Sequence, residues 1–297
     1  MMQIDNETLN NQLERCRETV DNKLAEYFEG EYPYMELLES MRYSLLAGGK
    51  RIRAILCLKF CEAAGGDAAI ALDAACAIEM LHTYSLIHDD LPCMDDDDVR
   101  RGKPSNHIEY GEFTATLAGD ALQAAAFETL LKSGLPSDSV LQMGLILAEA
   151  AGPYGICGGQ FLDMVWEGMQ LSEDELVQIN SLKTASLIAA CAKIGVIAAG
   201  GTDEQISAAE EYALAVGYAF QMRDDVLDYT STEEELGKPV LSDMKRAKTT
   251  YASLLGIDEC ERIINDQTLK AIAALDGEFE EPSFLIWLAQ TLADRKS

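Results

Sequence analysis

The sequence predicts an all-α protein, a single large helical bundle over residues 1–297 around a deep central cavity. Three observations point there. Long stretches are rich in Ala, Leu, Glu, Met and Gln, and the seven prolines fall mostly between them. Runs of strict apolar/polar alternation bounded by turns are missing, so a sheet is not expected. Several segments, notably 68–88 and 185–199, are apolar nearly all round, which places them inside a bundle. Bundles of this kind hold ligands between their helices.

The breakers set the elements in order. A first helix over about 6–29 stops at Gly30 and Pro33, and a second over about 34–47 stops at Gly48-Gly49. A third, about 51–64, ends at Gly65-Gly66, and a fourth, about 68–91, ends before Pro92 because the residue preceding proline disfavours the helical conformation. After Gly102 and Pro104 come helices at about 112–133 and 137–156, split by Gly134 and Pro136, then one at about 158–168. Helices at about 172–199 and 203–230 meet at Gly200-Gly201. Gly237 and Pro239 precede a helix at about 248–275, and Pro282 opens the last, about 282–294. No repeat and no Ser/Gly/Pro-rich linker divides the chain.

With 23 Lys plus Arg against 51 Asp plus Glu the formal charge is −28, so a nucleic-acid partner and a basic anchor on anionic lipid are not expected. No uninterrupted apolar run reaches membrane-span length, and the polar start Met1–Leu13 lacks a signal peptide's basic and apolar blocks, so neither a membrane anchor nor export is expected. The eight cysteines form no Cys-x-x-Cys and sit largely among Ala, Ile and Leu, as core thiols of a reducing cytoplasm do.

Two acidic clusters carry the chemistry. His88-Asp89-Asp90-Leu91-Pro92-Cys93-Met94-Asp95-Asp96-Asp97-Asp98 follows directly on the apolar helix Ala74–Ile87. Most charge runs are solvated loops. Carboxylates crowded at the mouth of a bundle interior, however, repel one another and resist desolvation unless a cation binds. With no Cys or His cluster, a hard oxygen-seeking ion such as Mg²⁺ fits, and the Gly and Glu of an EF-hand loop are lacking. In Gln221-Met222-Arg223-Asp224-Asp225-Val226-Leu227-Asp228, Asp224 and Asp228 share a helix face beside Asp225. Acids near a helix C-terminus oppose its dipole, a misfit that a metal would resolve.

Basic residues gather at the breaks: Lys50 and Arg53 after Gly48-Gly49, Arg100 and Arg101 before Gly102-Lys103-Pro104, Lys183-Thr184 in an apolar helix, then Gly237-Lys238-Pro239 and Lys248-Thr249-Thr250. Arg forks and Lys point charges are the usual grips for phosphate oxygens. Two metal-binding mouths with basic clamps imply a diphosphate substrate.

These residues resemble the trans-type short-chain isoprenyl diphosphate synthases, and most nearly the bacterial farnesyl diphosphate synthase (geranyltranstransferase) branch. Asp89-Asp90 with Asp95 resembles the family's first aspartate-rich motif in the form with two extra residues, and Asp224-Asp225-x-x-Asp228 the second. Gly-Gly-Lys-Arg-x-Arg at 48–53, Arg-Arg-Gly-Lys-Pro at 100–104, Gly-Gly-Gln-x-x-x-Asp over 158–163 and Lys183-Thr184 match in the same order, over roughly 30–256. Ala54, Ala247 and Ala252 depart from the usual Pro, Gly and Pro. Residues 257–297 match loosely, with Arg295-Lys296 resembling the basic C-terminal end of relatives.

The resemblance implies an isoprenoid-synthase fold, a homodimer, and head-to-tail condensation of isopentenyl diphosphate with dimethylallyl or geranyl diphosphate, chiefly to farnesyl diphosphate. It implies about three Mg²⁺ ions per site, with Mn²⁺ as an alternative, held by Asp89, Asp95 and Asp224 and supported by Asp90, Asp225 and Asp228. Arg100, Lys183 and Lys238 would stabilise the leaving diphosphate. The Lys183 carbonyl, Thr184 and Gln221 would face the allylic cation, with Lys248 among the substrate contacts. Lys50, Arg53, His82 and Arg101 would hold the second diphosphate, and the segment about 231–248 would be a lid. Geranyl or geranylgeranyl synthesis is the nearest alternative; a terpene cyclase or a non-catalytic acidic subunit is more remote.

Tyr84 precedes Asp89 by five residues, roughly 7–8 Å deeper along the helix. With neighbouring Ser85 it suits the floor beneath a growing tail, although a buried core tyrosine is the plain alternative. Gln160 and Asp163 share a face suited to orienting metal-bound water or Lys183. His88 and His107 read as supporting residues, and Met80, Met94, Met143, Met164 and Trp166 as core or cavity lining.

Overall fold

The computed structural model describes residues 5–230 and 248–295. Helix α1 spans Asn6–Ala25, α2 Met35–Leu45, α3 Ile52–Ala63 and, after a 3-10 turn at Ala68–Ala71, α4 Leu72–Asp89. A ribbon of two short strands, β1 (Val99–Arg100) and β2 (Lys103–Pro104), leads into α5 (Asn106–Tyr110), α6 (Glu112–Leu131), α7 (Ser137–Ala151) and α8 (Ile156–Val165). Helix α9 (Glu173–Asn180) runs through a π-helical turn (Ser181–Ala185) into α10 (Ser186–Ala198), followed by α11 (Asp203–Thr230). Beyond the second break lie α12 (Tyr251–Leu255), α13 (Ile257–Ala274) and α14 (Ser283–Asp294).

Alanine, leucine and isoleucine wrap α4 and α10 completely, so both are buried on every side. Helix α4 packs on α6 and α3, and α10 on α3, α11 and α7, which makes these two the axis of the bundle. At the α3–α10 crossing the backbones touch: a Cβ on Gly195 would lie 2.2 Å from the Cys57 carbonyl oxygen. A smaller apolar cluster, including Leu176, Met222, Tyr251, Cys260 and Ile264, joins α9 and α11 to α12 and α13. The bidentate pair of Arg223 with Glu261, at 2.6 Å on each arm, clamps α11 to α13.

The helical expectation holds, with four corrections. The chain does pair strands once: at Arg101 (φ 54°) and Gly102 (φ 74°) two successive left-handed residues close a two-residue hairpin, for which the flanking strands are too short to show alternation. The stretch 104–111 contains α5, too short to reveal a period. The helix expected over 248–275 is broken at Gly256 (φ 81°). Three helical stretches, Ala68–Asp89, Ser137–Val165 and Glu173–Ala198, are long and apolar enough to cross a membrane, the second because two segments read separately in sequence join end to end. The first and third are 67 % buried in the bundle and serve as its core, whereas the second is only 39 % buried and leaves Leu141, Leu145, Tyr154 and Phe161 exposed.

The α3–α10 contact makes a stability prediction. Gly195→Ala places a methyl group against main chain that cannot swing aside, and should cost about 1–3 kcal/mol. Calorimetry would then show a melting temperature lower by several degrees, and an unchanged value would contradict the close approach.

Candidate active site

The first acidic cluster sits where α4 runs out. Asp89 is the last residue of the helix, and the loop behind it folds back so that the Asp95 N–H donates to the Asp89 carbonyl at 2.9 Å. Asp96 takes φ 52° to make the reversal. This brings Asp95 beside Asp89. Burial raises the Asp89 pKa to about 6, with Asp95 and Asp90 adding to the rise and Lys183 and Arg100 opposing it. Asp90 turns inward, 2 % exposed, onto Arg100, whose Nε lies 2.9 and 3.2 Å from its two oxygens. Arg100 Nη2 also bonds Asp90 and reaches Asp97 at 3.4 Å. The hairpin delivers this guanidinium, and the Tyr43 hydroxyl donates to the Pro104 carbonyl at 2.9 Å to seat the ribbon. Asp90, expected as a supporting carboxylate of the metal site, pairs with Arg100, which the hairpin carries over it.

The π turn at 181–185 carries Lys183 and Thr184. A π turn widens the helix by one residue and is a frequent mark of a functional site. Helix α8 lies so close that a Cβ on Gly159 would stand 2.3 Å from the Lys183 nitrogen. Asp163, one turn on along α8, binds two lysines at once: Lys183 at 2.8 Å and Lys248 at 3.0 Å. Burial works against charge on Asp163, yet the two lysines outweigh it and hold its pKa below the ordinary value. Burial likewise opposes charge on Lys183, but Asp89 and Asp163 outweigh it and raise its pKa. Lys183 is therefore a charged ammonium between the first acidic cluster and α8. Gln160, 7 % exposed, has neither amide atom hydrogen-bonded.

The second cluster lies in the last turns of α11. The Thr184 hydroxyl donates to Gln221 Oε1 at 3.3 Å, and Gln221 Nε2 donates to Asp225 at 3.2 Å. Asp225 also accepts the Tyr251 N–H at 2.8 Å, which ties it to the start of α12. Asp228 is buried beside it. Asp224 is paired with Arg295 at the end of α14, whose guanidinium stacks 3.9 Å from the Phe220 ring and donates to the Phe220 carbonyl at 3.2 Å. Lys183-Thr184-Gln221 thus bridges the two acidic clusters.

Around α3, Lys50, Arg53, His82 and Arg101 line one cavity of about 110 Å³ together with Phe220 of α11. Arg53 Nη1 lies 3.3 Å from His82 Nε2, and Arg101 donates to the Gly48 carbonyl. Burial, then Arg53 and Arg101, push the His82 pKa well below the ordinary value, so this imidazole is neutral. Burial and then Arg295 lower the Lys50 pKa, while Asp224 opposes them. A second cavity of about 200 Å³ is lined by Asp163, Trp166, Lys183, Thr184, Gln221, Asp225 and Lys248. Both cavities are bordered by α11. Lys238 and the expected lid, apart from Lys248, lie outside the described residues.

Among the described residues no three His, Cys, Asp or Glu side chains converge as a ready-made metal cage. The donors at both mouths are oxygens, offered singly or in pairs. That suits Mg²⁺, which takes one or two carboxylates and completes its octahedron with water and phosphate oxygens. A carboxylate at Asp89 pushed to about 6 and the unpartnered Gln160 amide fit a site built around a cation and its water. Asp89, Asp95 and Asp224 would hold such an ion.

Some features escaped the sequence reading. The pairing of Arg295 with Asp224, the turning-in of Arg51, and the double load on Asp163 all depend on contacts between distant segments. Ser85, expected beside Tyr84 at the floor, donates to the His82 carbonyl of its own helix at 2.8 Å. His88 lies against Gly119 with Nε2 3.0 Å from the Thr116 carbonyl, and His107 bonds Ser105 at 3.1 Å, both supporting contacts.

An all-helical bundle with two acidic helix ends facing buried cations defines a diphosphate-handling enzyme. The chain belongs to the polyprenyl synthetase family, whose profile matches residues 35–281. It is 44 % identical over 268 residues, 88 % of this chain and 75 % of the relative, to geranylgeranyl pyrophosphate synthase 11, chloroplastic, of Arabidopsis thaliana. It is 33 % identical to an FPP/GFPP synthase from Zymomonas mobilis, with TM-score 0.87 over 96 % of this chain and 99 % of that one. It also resembles the geranylgeranyl pyrophosphate synthetase of Pyrococcus horikoshii, at 33 % identity and TM-score 0.88 over 97 % and 99 % of the two chains. It is accordingly a prenyltransferase of isoprenoid biosynthesis.

Asp89 supplies a pH test. Its folded pKa of about 6 lies above the unfolded value of 3.8, so its stability contribution is full below about pH 4 and is lost as pH rises through 6. In metal-free buffer, Asp89→Asn should gain stability over the parent protein as pH rises from about 4 to about 7, the gap reading directly in the melting temperature. A gap that stays constant across that range would contradict the buried, crowded carboxylate.

Proposed function

We propose that this prenyltransferase condenses isopentenyl diphosphate with dimethylallyl or geranyl diphosphate, using Mg²⁺, and makes chiefly the fifteen-carbon farnesyl diphosphate. The observation that carries the reading is the bridge Lys183-Thr184-Gln221 between the two acidic helix ends, with a separate basic cavity at Lys50, Arg53, His82 and Arg101. Two diphosphates need two cationic sites, and an ionisation needs dipoles without a nucleophile between them.

Asp89, Asp95 and Asp224 would hold Mg²⁺, which would supply Lewis-acid neutralisation to the leaving diphosphate. Lys183, oriented by Asp163, is placed to meet the same leaving group as the allylic carbon–oxygen bond breaks. The Lys183 carbonyl, the Thr184 hydroxyl and the Gln221 amide offer oxygen dipoles to the allylic cation. Lys50, Arg53 and Arg101 grip the second diphosphate, and neutral His82 adds hydrogen bonding without further charge. The alkene attacks the cation, and loss of a proton, to the departing diphosphate, completes the step. The apolar walls of α4 and α10 keep water from the cation.

Tyr84 supports the fifteen-carbon product. It is buried, and its hydroxyl lies 3.4 Å from the Ala151 carbonyl and 3.8 Å from Cys157 Sγ, so the ring is braced between the end of α7 and α8. A braced aromatic below Asp89 would stop a growing tail. A second reading, a geranylgeranyl diphosphate synthase, draws on the open apolar groove of about 580 Å³ behind it, lined by Tyr154, Cys157, Phe161, Leu162 and Leu182. Exposed Phe113 and Leu117 of α6, with Leu141 and Leu145 of α7, supply an apolar surface for the expected homodimer.

Product analysis by mass after incubation with isopentenyl and geranyl diphosphates and Mg²⁺ tests the reaction and the length. Farnesyl diphosphate should dominate, and Asp224→Ala should lower turnover by about 10²-fold or more. Tyr84→Ala should shift the products beyond fifteen carbons. A parent protein that releases mostly the twenty-carbon product, or a Tyr84→Ala variant with an unchanged spectrum, would overturn the floor.

A further inference from the structure

The cationic wall of the second diphosphate site rests on backbone that is poor at holding its own shape. Between α2 and α3, Gly48 (φ 83°), Gly49 (φ 132°) and Arg51 (φ 51°) are all in the left-handed region. Arg51 carries a Cβ, so its conformation is disfavoured and persists only where the surroundings over-determine it. Its side chain turns inward, 3 % exposed, and is gripped from three helices. Nε donates to Asp21 of α1 at 2.8 Å, Nη2 to the Leu45 carbonyl closing α2 at 2.7 Å, and Nη1 to Glu79 of α4 at 3.2 Å.

Glu79 does more than neutralise Arg51. It is 2 % exposed, and its second oxygen accepts the Ala54 N–H at 3.2 Å. Ala54 lies in the first turn of α3, where amides have no helical partner. One carboxylate thereby fixes Arg51 and the start of α3, the points on either side of Arg53. One turn further along α4, His82 meets Arg53. Glu79 is also the one acidic residue among those lining this cavity, against Lys50, Arg51, Arg53 and Arg101.

We propose that Arg51 and Glu79 are positioning residues: their buried ion pair locks the 48–53 turn so that Lys50 and Arg53 face the diphosphate of isopentenyl diphosphate. Both residues border this cavity, but their polar groups are engaged with each other, Asp21, the Leu45 carbonyl and the Ala54 N–H, so they act through the turn. The inference rests on the two-diphosphate reading above. A buried pair that served stability alone would be replaceable by apolar side chains of similar volume. A positioning pair would not be, because the turn would then relax toward conformations that Arg51 prefers.

The test is steady-state kinetics with each diphosphate varied in turn, alongside thermal melts. Glu79→Gln can keep the Ala54 hydrogen bond while losing the charge opposite Arg51. It should raise KM for isopentenyl diphosphate about tenfold or more, with kcat and the allylic KM within about twofold. The double variant Arg51→Met with Glu79→Leu should recover the melting temperature but keep the raised KM. Asp21→Asn, at a half-exposed partner of Arg51, should fold and show a smaller rise in the same KM, which keeps the test decisive if Glu79→Gln does not fold. Unchanged KM for isopentenyl diphosphate in the folded variants, an equal rise in both KM values, or recovery of both melting temperature and KM in the double variant would overturn the proposal. A parent protein that condenses the two substrates while the variants match it sinks this inference alone; a parent that condenses nothing sinks the reading beneath it.

Discussion

The structure depends on carboxylates placed where an apolar helix ends and the bundle interior opens. Asp89 closes α4, where the helix dipole and the low-polarity surroundings oppose negative charge, and Asp224 stands near the end of the described part of α11. Such groups must be neutralised or matched by cations. The rest of the site can be understood as the answer to that requirement: a hairpin that brings Arg100 to Asp90, a last helix that brings Arg295 to Asp224, and a π turn that sets Lys183 near Asp89.

The same constraint explains how a chain of net charge −28 can handle anionic substrates. The acids outnumber the bases over the whole surface, but inside the site the bases gather at breaks in the helices. Several are held in place by a buried or half-buried acid. Asp163 aims Lys183 and Lys248, and Glu79 aims Arg51. Buried in this way, the lysine at 183 keeps its charge despite its apolar helix, because two carboxylates outweigh the cost of desolvation.

Much of this was legible in the sequence because it is local. The apolar circumference of 68–88 and 185–199 marked the two axial helices, and α11 begins at Asp203, as its pattern predicts. Paired aspartates following apolar helices, and Lys183-Thr184 inside one, marked the two ends and the bridge. What stayed hidden depends on distance along the chain. Arg295 and Asp224 are 71 residues apart, and no local pattern joins them. Arg51 sits between the two expected grips Lys50 and Arg53, and only its hydrogen bonds to Asp21, Leu45 and Glu79 show that it turns inward. The tie between Asp225 and the first amide of α12 is equally invisible to a local pattern. The hairpin at 99–104 was missed because strands of two residues leave no periodic trace.

The π turn at 181–185 also has a mechanical meaning. Upstream, α9 presents its apolar side to the small cluster with α12 and α13; downstream, α10 is buried on all sides in the main core. One residue in a helix is about 100° of rotation, so the extra residue works as a phase correction between two packing environments. Removing it would leave helical content almost untouched while turning every downstream side chain to a wrong neighbour. The chemistry of Lys183 and the angular register of the bundle are therefore written into the same five residues, and evolution cannot trim one without scrambling the other.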